Sequence, residues 1–514
     1  MAQPNTNLIR QERTTVATIA LVLSALIVAA IVRFSFLSAP FDADGALFVY
    51  MGKMVDEGGR FGVDLIDNKP PTVGLMTSIV WRAFGGEWCG YVATSAVMSV
   101  IASLAIARAV NWARPGRFAS AFALALVLLN IQPFVFGGFQ TETLQMSFAA
   151  LACAMGVAAL TKQDWRDALA AGLCAGCAAM FKPSGLAIVA ALAISFVVAF
   201  RFRSVWLLLS MTSGVAIVAA VASIYLDKSR SFDYFVNQTR EAAGYAAHSA
   251  IDGFAIFKLA TVVGAILAVI GLTTFFGRRT DREVAPGTCL RSIVLLGVAW
   301  LLIETIGVAL QRRMYAYHFL PMFAPAALLV ALLPRMLSAK VILVAWILPL
   351  ALSFDQTRAL YEQKPDDRHA LSDYLERHAH SNDRVWIDGY ARLLIETNLK
   401  PGSRLPLTFL FINDDTAPLR YTKLLLNDLE TNRTRYVVLP ANFERNVKHH
   451  IEHNRELAAF ETRRENYVKA WDQLEQRIRT DYLFETRIDG LDVYIRRPAS
   501  ELEMDRADLA DFPF

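Results

Sequence analysis

The strongest constraint on this chain is a succession of apolar blocks. From the N-terminus to about residue 355, predominantly apolar stretches of roughly 17 to 25 residues recur, each about the length of helix that crosses a hydrocarbon core. Composition agrees. The 514 residues are 55% hydrophobic and 19% charged, with a mean hydropathy of +0.36. That is too little polar material to cover a soluble domain of this size. After residue 356 the chain becomes polar, charged and nearly free of long apolar runs. The expected fold is therefore a polytopic α-helical membrane domain over 1–355, followed by a soluble domain over 356–514.

Spans are expected at approximately 14–34, 89–109, 118–136, 142–160, 168–181, 184–200, 204–224, 253–275, 289–310, 316–333 and 339–355, eleven in all. The N-terminal run is expected to be the first span rather than a cleaved leader, because no small-residue cleavage site follows it. The stretch 168–181 ends at Phe181-Lys182-Pro183-Ser184-Gly185, which suggests a broken pair with the next span. Basic residues orient the set. Arg10 and Arg13, then Arg108, Arg114 and Arg117, Lys162 and Arg166, Arg201 and Arg203, Arg278, Arg279 and Arg282, and Arg335 and Lys340 all fall on one side of an eleven-span layout. By the positive-inside rule that side is the cytoplasm. The loop 35–88, the loop 225–252 and the soluble region then lie on the other side.

Other compositional signals are quiet. Cys89, Cys153, Cys174, Cys177 and Cys289 lie in or beside apolar blocks, with neither a disulfide framework nor a zinc spacing. The Cys174-Ala-Gly-Cys177 pair reads as small helix-packing residues. The net charge of +4 carries little information, and nucleic acid is not an expected partner.

The outer loop 35–88 is too long for a simple connection. Asp42 and Asp44 follow the first span directly, and Leu47, Tyr50, Met51 and Met54 then recur on one helical face. This predicts a helix over Ala46–Val55, lying along the interface and stopped by Gly58-Gly59. Carboxylates at its start gain from free backbone N–H groups. Next comes Asp64-Leu-Ile-Asp67-Asn-Lys69-Pro70-Pro71, where the prolines stiffen the entry to a second apolar element, Val73–Phe84. Lys69 is thereby held near headgroup depth, where a lysine snorkels or meets a phosphate as a point charge.

Further polar residues punctuate the apolar region. Glu142 opens a span after Gly137-Gly138-Phe-Gln-Thr141, and an acid at a span edge is a functional candidate. Lys182 sits at the helix break before Pro183, and Glu304 interrupts an apolar stretch. Arg312 and Arg313 face outward against the charge bias, and a guanidinium fork suits phosphate oxygens. Tyr317 and His318 follow, before Leu320-Pro321.

The order Asp42-Ala-Asp44-Gly-Ala-Leu-Phe-Val-Tyr, Gly-Gly, Asp64-x-x-Asp67, Lys69-Pro-Pro, Thr141-Glu142, Lys182-Pro and Tyr317-His318-Phe resembles the integral-membrane glycosyltransferases of the GT-C superfamily. Within it, the resemblance is to the branch of aminoarabinose and galacturonic acid transferases to lipopolysaccharide and of protein mannosyltransferases. The resemblance implies a sugar donor linked to polyprenyl phosphate and transfer outside the cytoplasm. It implies a glycolipid, glycan or protein acceptor, membrane lipids as surroundings, and a bacterial inner membrane location. It carries the base, or acceptor-orienting role, to Asp44, with Asp42 beside it. The commoner Asp-Glu pair is replaced here by Ala43-Asp44, so both aspartates stand as candidates. It carries donor-phosphate contact to Lys69, Lys182, Arg312 and Arg313, and substrate contact to Asp64, Asp67, Glu142, Tyr317 and His318. No cofactor is certain; a divalent metal at Asp42 and Asp44 is compatible with the pattern but not established by two acids.

In the soluble tail, helices are expected over 367–380, 418–430 and 463–478. Strands are expected over 384–387, 435–440, 480–487 and 490–496, together a small α/β domain. His449, His450 and His453 lack an accompanying ligand motif and read as solvent-facing. The last fifteen residues are acidic and suggest disorder. The rival reading is a transporter or flippase of lipid-linked saccharides, which also uses broken helices, but paired internal repeats are absent from the sequence. The layout is directly testable: a phosphatase reporter that folds only outside the cytoplasm should be active when fused after residue 360. Activity confined to a cytoplasm-only reporter at that position would overturn the orientation.

Overall fold

The computed structural model describes residues 6–37, 43–67, 69–131, 138–228, 231–247, 253–276, 278–279, 287–312, 314–333, 335–336, 369–389, 391–397, 399–406, 411–441, 443–498 and 500. Helices α1 (Thr6–Phe34), α2 (Ala43–Asp56), α3 (Pro71–Phe84), α4 (Trp88–Ala113), α5 (Phe118–Leu128) and α6 (Thr141–Lys162) come first. Then follow α7 (Trp165–Phe181), α8 (Ala187–Phe200), α9 (Ser204–Lys228), α10 (Phe232–Ala247), α11 (Gly253–Phe276), α12 (Gly287–Gln311) and α13 (Leu320–Leu332). Short strands β1 (Arg278–Arg279) and β2 (Arg335–Met336) pair antiparallel. The tail holds α14 (His369–His378), β3 (Arg384–Ile387), α15 (Ala391–Glu396), β4 (Lys400–Pro401), α16 (Ala417–Thr431) and β5 (Tyr436–Pro440). It closes with α17 (Phe443–His453), α18 (Arg455–Ala459), α19 (Glu461–Asp481), β6 (Tyr482–Ile488) and β7 (Leu491–Arg496).

Two compact units emerge. The first comprises Met1–Pro40, Glu87–Tyr225 and Ile251–Lys364; the second comprises Phe41–Gly86, Leu226–Ala250 and Pro365–Phe514.

Among the described residues, five helical stretches are long and apolar enough to cross a membrane: Thr18–Leu37, Trp88–Ala113, Thr141–Lys162, Pro183–Lys228 and Leu290–Gln311. Phe118–Leu128, Ala255–Gly271 and Ala316–Leu332 are shorter apolar helices. A straight helix of the 46 residues from Pro183 to Lys228 would run about 69 Å, over twice a hydrocarbon core. It does not run straight, because Arg201 takes a left-handed φ of 49° and Arg201–Arg203 tighten into a 3-10 turn between α8 and α9. The expected span 339–355 and part of 118–136 lie outside the described residues.

The first unit is built on α6, which packs against α4 and α7, while α13 touches α4, α5, α6 and α12. Its sequence explains that position. Ala149, Ala150, Ala152, Ala154, Gly156, Ala158 and Ala159 leave little side chain in the way, and α6 is buried on most sides. Small residues let helices approach where lipid gives no hydrophobic drive for association. The approach is closest between α7 and α9: a Cβ on Gly172 would overlap the Met211 carbonyl, and one on Gly214 would overlap the Leu169 carbonyl.

In the second unit, α2 packs against α3 and α15. The sequence predicts an interfacial helix with one apolar face, yet Phe48 and Val49 on its other side are as buried as Leu47 and Met51. The reason is that α15, some 340 residues on, supplies a second wall. The tail forms a five-stranded sheet in the order β4-β3-β5-β7-β6, with β3 parallel to β4 and β5 and the remaining pairs antiparallel. Central β5 is buried from Tyr436 to Leu439, as its unbroken apolar run requires. Helices α16 and α19 pack together, and Ile66 from the outer loop joins their core while its N–H donates to the Arg404 carbonyl at 2.6 Å.

Gly172→Leu should force α7 and α9 apart and lower the melting temperature in detergent by several degrees, an overpacking cost of about 1–3 kcal/mol. Gly264→Leu, where an added Cβ meets nothing within 4 Å, should leave melting unchanged. Equal melting of the two variants would refute the close crossing.

Candidate functional site

Six of the described candidates, with Glu142 and Lys69 at the centres, gather in two polar clusters, one in each unit.

The cluster of the second unit lies on the α2–α3 hairpin. Asp44 is in the first turn of α2, where free N–H groups favour an acid. Lys69 precedes Pro70 and Pro71, and α3 starts with no side-chain cap. Its ammonium sits 3.5 Å from Asp44 Oδ1, 4.0 Å from Asp67 Oδ2 and 5.5 Å from the centre of the Phe48 ring. Asp67 is fully buried, whereas Lys69 and Asp44 keep 17% and 28% of their side chains exposed. Asp64 instead closes its own turn, accepting the Arg60 N–H at 2.8 Å and pairing with the Arg60 guanidinium at 3.6 Å. Asp42 lies outside the described residues, which contain no trio of His, Cys, Asp or Glu placed to hold a metal. A second lysine of α2, Lys53, is buried and donates to the Leu394 carbonyl at 3.0 Å. Burial pushes its ammonium below the usual lysine range, against the pull of Glu57. It ties α2 down, whereas Lys69 reaches carboxylates with part of its surface open.

The cluster of the first unit is tighter. Glu142 occupies the first turn of α6 and is buried. Lys182 Nζ lies 2.5 Å from its Oε1, Thr141 donates to its Oε2 at 2.9 Å, and His318 Nε2 stands 3.9 Å from Oε1. Lys182 can reach there because α7 ends at Phe181. Lys182 is extended, with φ −158°, and Pro183 cannot continue the α7 ladder. His318 sits in a 3-10 turn ahead of α13 and packs edge-on to Tyr317 and Tyr315, whose rings stack on each other. The chain arrives at that turn through left-handed residues Arg312 (φ 56°) and Met314 (φ 45°), a conformation side chains resist. Arg313 lies outside the described residues. Glu304, deep in α12, accepts from Trp300 Nε1 at 3.1 Å.

Among the buried cations that the sequence analysis does not single out, one lies in the first unit. Arg33, at the end of α1, donates from Nε to Asn130 Oδ1 at 2.6 Å and from its Nη atoms to Ser95 Oγ at 2.7 Å, Ser99 Oγ at 2.5 Å and the Gly138 carbonyl at 3.3 Å. A basic residue near the end of an apolar helix is the signal that marks it.

Sequence comparison finds no match among curated proteins. Residues 68–225 match the family described as dolichyl-phosphate-mannose-protein mannosyltransferase. That segment contains Lys69, Glu142 and Lys182 and stops short of Asp42 and Asp44. Among solved structures, the chain is similar to ArnT from Cupriavidus metallidurans bound to undecaprenyl phosphate, with a TM-score of 0.54 and 14% identity over 94% of this chain and 98% of that one. The apo state of the same protein gives 0.55 and 14% over 93% and 98%. AglB from Archaeoglobus fulgidus, in complex with an inhibitory peptide and a dolichol-phosphate, is a weaker likeness at 0.49 and 13%. The fold is thus the one seen in ArnT.

The buried pair of the first unit gives a sharp expectation. Lys182→Met alone strands a buried carboxylate and should cost about 3 kcal/mol or more. Adding Glu142→Gln should recover over half of that in a detergent melt. Additive losses would show that the two side chains are not coupled.

Proposed function

We propose that this protein transfers a sugar from a polyprenyl-phosphate-linked donor to an envelope lipid, glycan or protein on the non-cytoplasmic face, as an inverting glycosyltransferase spanning the inner membrane eleven times. The observation that carries the reading is the pairing of Asp44 and Lys69 at 3.5 Å, both partly open, on a hairpin whose Lys69-Pro-Pro opens the family match.

The chemistry needs two services. The acceptor hydroxyl oxygen attacks the anomeric carbon as the bond from that carbon to the phosphate oxygen breaks, its electron pair leaving with the polyprenyl phosphate. Asp44 takes the hydroxyl proton, the work of a general base. Lys69 meets the charge that grows on the phosphate, where a fixed cation counts most. One displacement inverts the anomeric centre. Asp42 shares or replaces the role of Asp44, and Asp67 and Asp64 hold the loop and contact substrate. In the first unit, Lys182, Arg312 and Arg313 are assigned to donor phosphate, and Glu142, Tyr317 and His318 to substrate.

Asp44→Asn keeps size and most hydrogen bonding but removes the base. Turnover from a purified polyprenyl-phosphate sugar should fall roughly 100-fold or more, with donor binding retained. Lys69→Ala should weaken donor binding by about 10- to 100-fold, the value of a hydrogen bond to a charged group. Normal turnover in both Asp44→Asn and Asp42→Asn would remove the base from this loop. Saccharide movement without transfer would favour the flippase.

A further inference from the structure

Lys69 owes its place to the segment just before it, and that segment is held by a residue from a distant part of the second unit. Tyr234, in the first turn of α10, grips Asp67 by both backbone groups. Its hydroxyl accepts from the Asp67 N–H at 2.7 Å, and the same hydroxyl donates to the Asp67 carbonyl. The ring is interlocked as well. Gly62 has φ +77°, and a Cβ there would overlap the Tyr234 ring, so only glycine lets the two segments close. Ser231, at the entrance to α10, donates to the Phe61 carbonyl at 2.8 Å. Helix α10 thus straps the 61–67 loop at two points.

One residue separates Asp67 from Lys69, and Pro70 limits the backbone of the lysine from the other side. The Tyr234 hydroxyl thus holds the backbone of Asp67, and the proline ring restricts that of Lys69. The Asp67 carboxylate, placed by the same grip, stands 4.0 Å from the ammonium. We propose that Tyr234 is a positioning residue that sets Lys69 for a phosphate, so that α10 and the Lys69-Pro-Pro motif act as one recognition device. This rests on the reading of Lys69 as the donor-phosphate cation. The physical ground is pre-organisation: a cation held in place binds an anion without first surrendering its own freedom.

The test uses the full chain in detergent and undecaprenyl phosphate as the probe. Tyr234→Phe keeps the ring against Gly62 and removes the hydroxyl. It should raise the dissociation constant 5- to 20-fold while the melting temperature moves little. In the Lys69→Ala background the same change should add almost nothing, because Tyr234 acts through the lysine. Ser231→Ala loosens the same strap without touching Asp67, and separates general destabilisation from positioning. It should leave affinity near the wild-type value even if melting falls. Wild-type affinity in Tyr234→Phe beside weakened Lys69→Ala would overturn the proposal and leave the role of Lys69 intact. An equal affinity loss in Ser231→Ala would overturn it in favour of simple loosening. Unchanged affinity in Lys69→Ala would remove the reading on which it rests.

Discussion

A hydrocarbon layer holds no water, and the first unit depends on that fact throughout. Any polar group carried into a span needs a protein partner, because the layer will not supply one. Arg33 shows how far the requirement reaches. Its guanidinium is satisfied by uncharged oxygens from α4, from Asn130 just after α5 and from the turn ahead of α6. Asn130 in turn donates to the Leu126 carbonyl at 2.6 Å, and Ser147 donates to the carbonyls of Met98 and Thr143. These bonds join α1, α4, α5 and α6 where apolar contact alone would let them slide.

The second unit is packed differently. Its core mixes Trp386, Tyr421, Leu425, Val437, Tyr467 and Trp471, large side chains over a sheet and helices. The first unit instead fills its centre with alanine and glycine along α6 and α7. In water, large apolar groups gain most from burial. In lipid that gain vanishes, and close backbone approach by small residues takes its place.

What could be read from sequence follows from what is local. Strand Arg384–Ile387 and helices over 417–431 and 461–481 sit within a few residues of expectation, because periodicity and caps are local properties. So is the helix that begins near Asp44. Less legible was what each element packs against. Nothing around Leu47 announces α15, and nothing around Asp67 announces Tyr234, 167 residues later. The lysine of the Lys69-Pro-Pro motif was identified from resemblance and motif order, but its distance to Asp44 is a matter of tertiary structure. The same holds for Glu142 and Lys182, 40 residues apart in sequence and in contact. Asp42, Arg313 and the stretch 339–355 fall outside the described residues.

The two acid–lysine pairs differ in a way that bears on the proposed chemistry. Glu142 and Lys182 touch at 2.5 Å, and the acid is buried. Separating such a pair leaves a charge stranded, so it resists being opened by a ligand. Asp44 and Lys69 stand at 3.5 Å, both partly exposed, and a second carboxylate waits at 4.0 Å. Parting Lys69 from Asp44 strands no buried acid at Asp44, provided the lysine stays within reach of buried Asp67. A lysine suits this better than an arginine would. The ammonium is a compact point charge on a flexible stem, able to turn from one carboxylate to an arriving phosphate without a planar fork to realign. On the proposed reading, Lys182 meets the donor phosphate without leaving Glu142, while Asp44 and Lys69 part from each other during transfer.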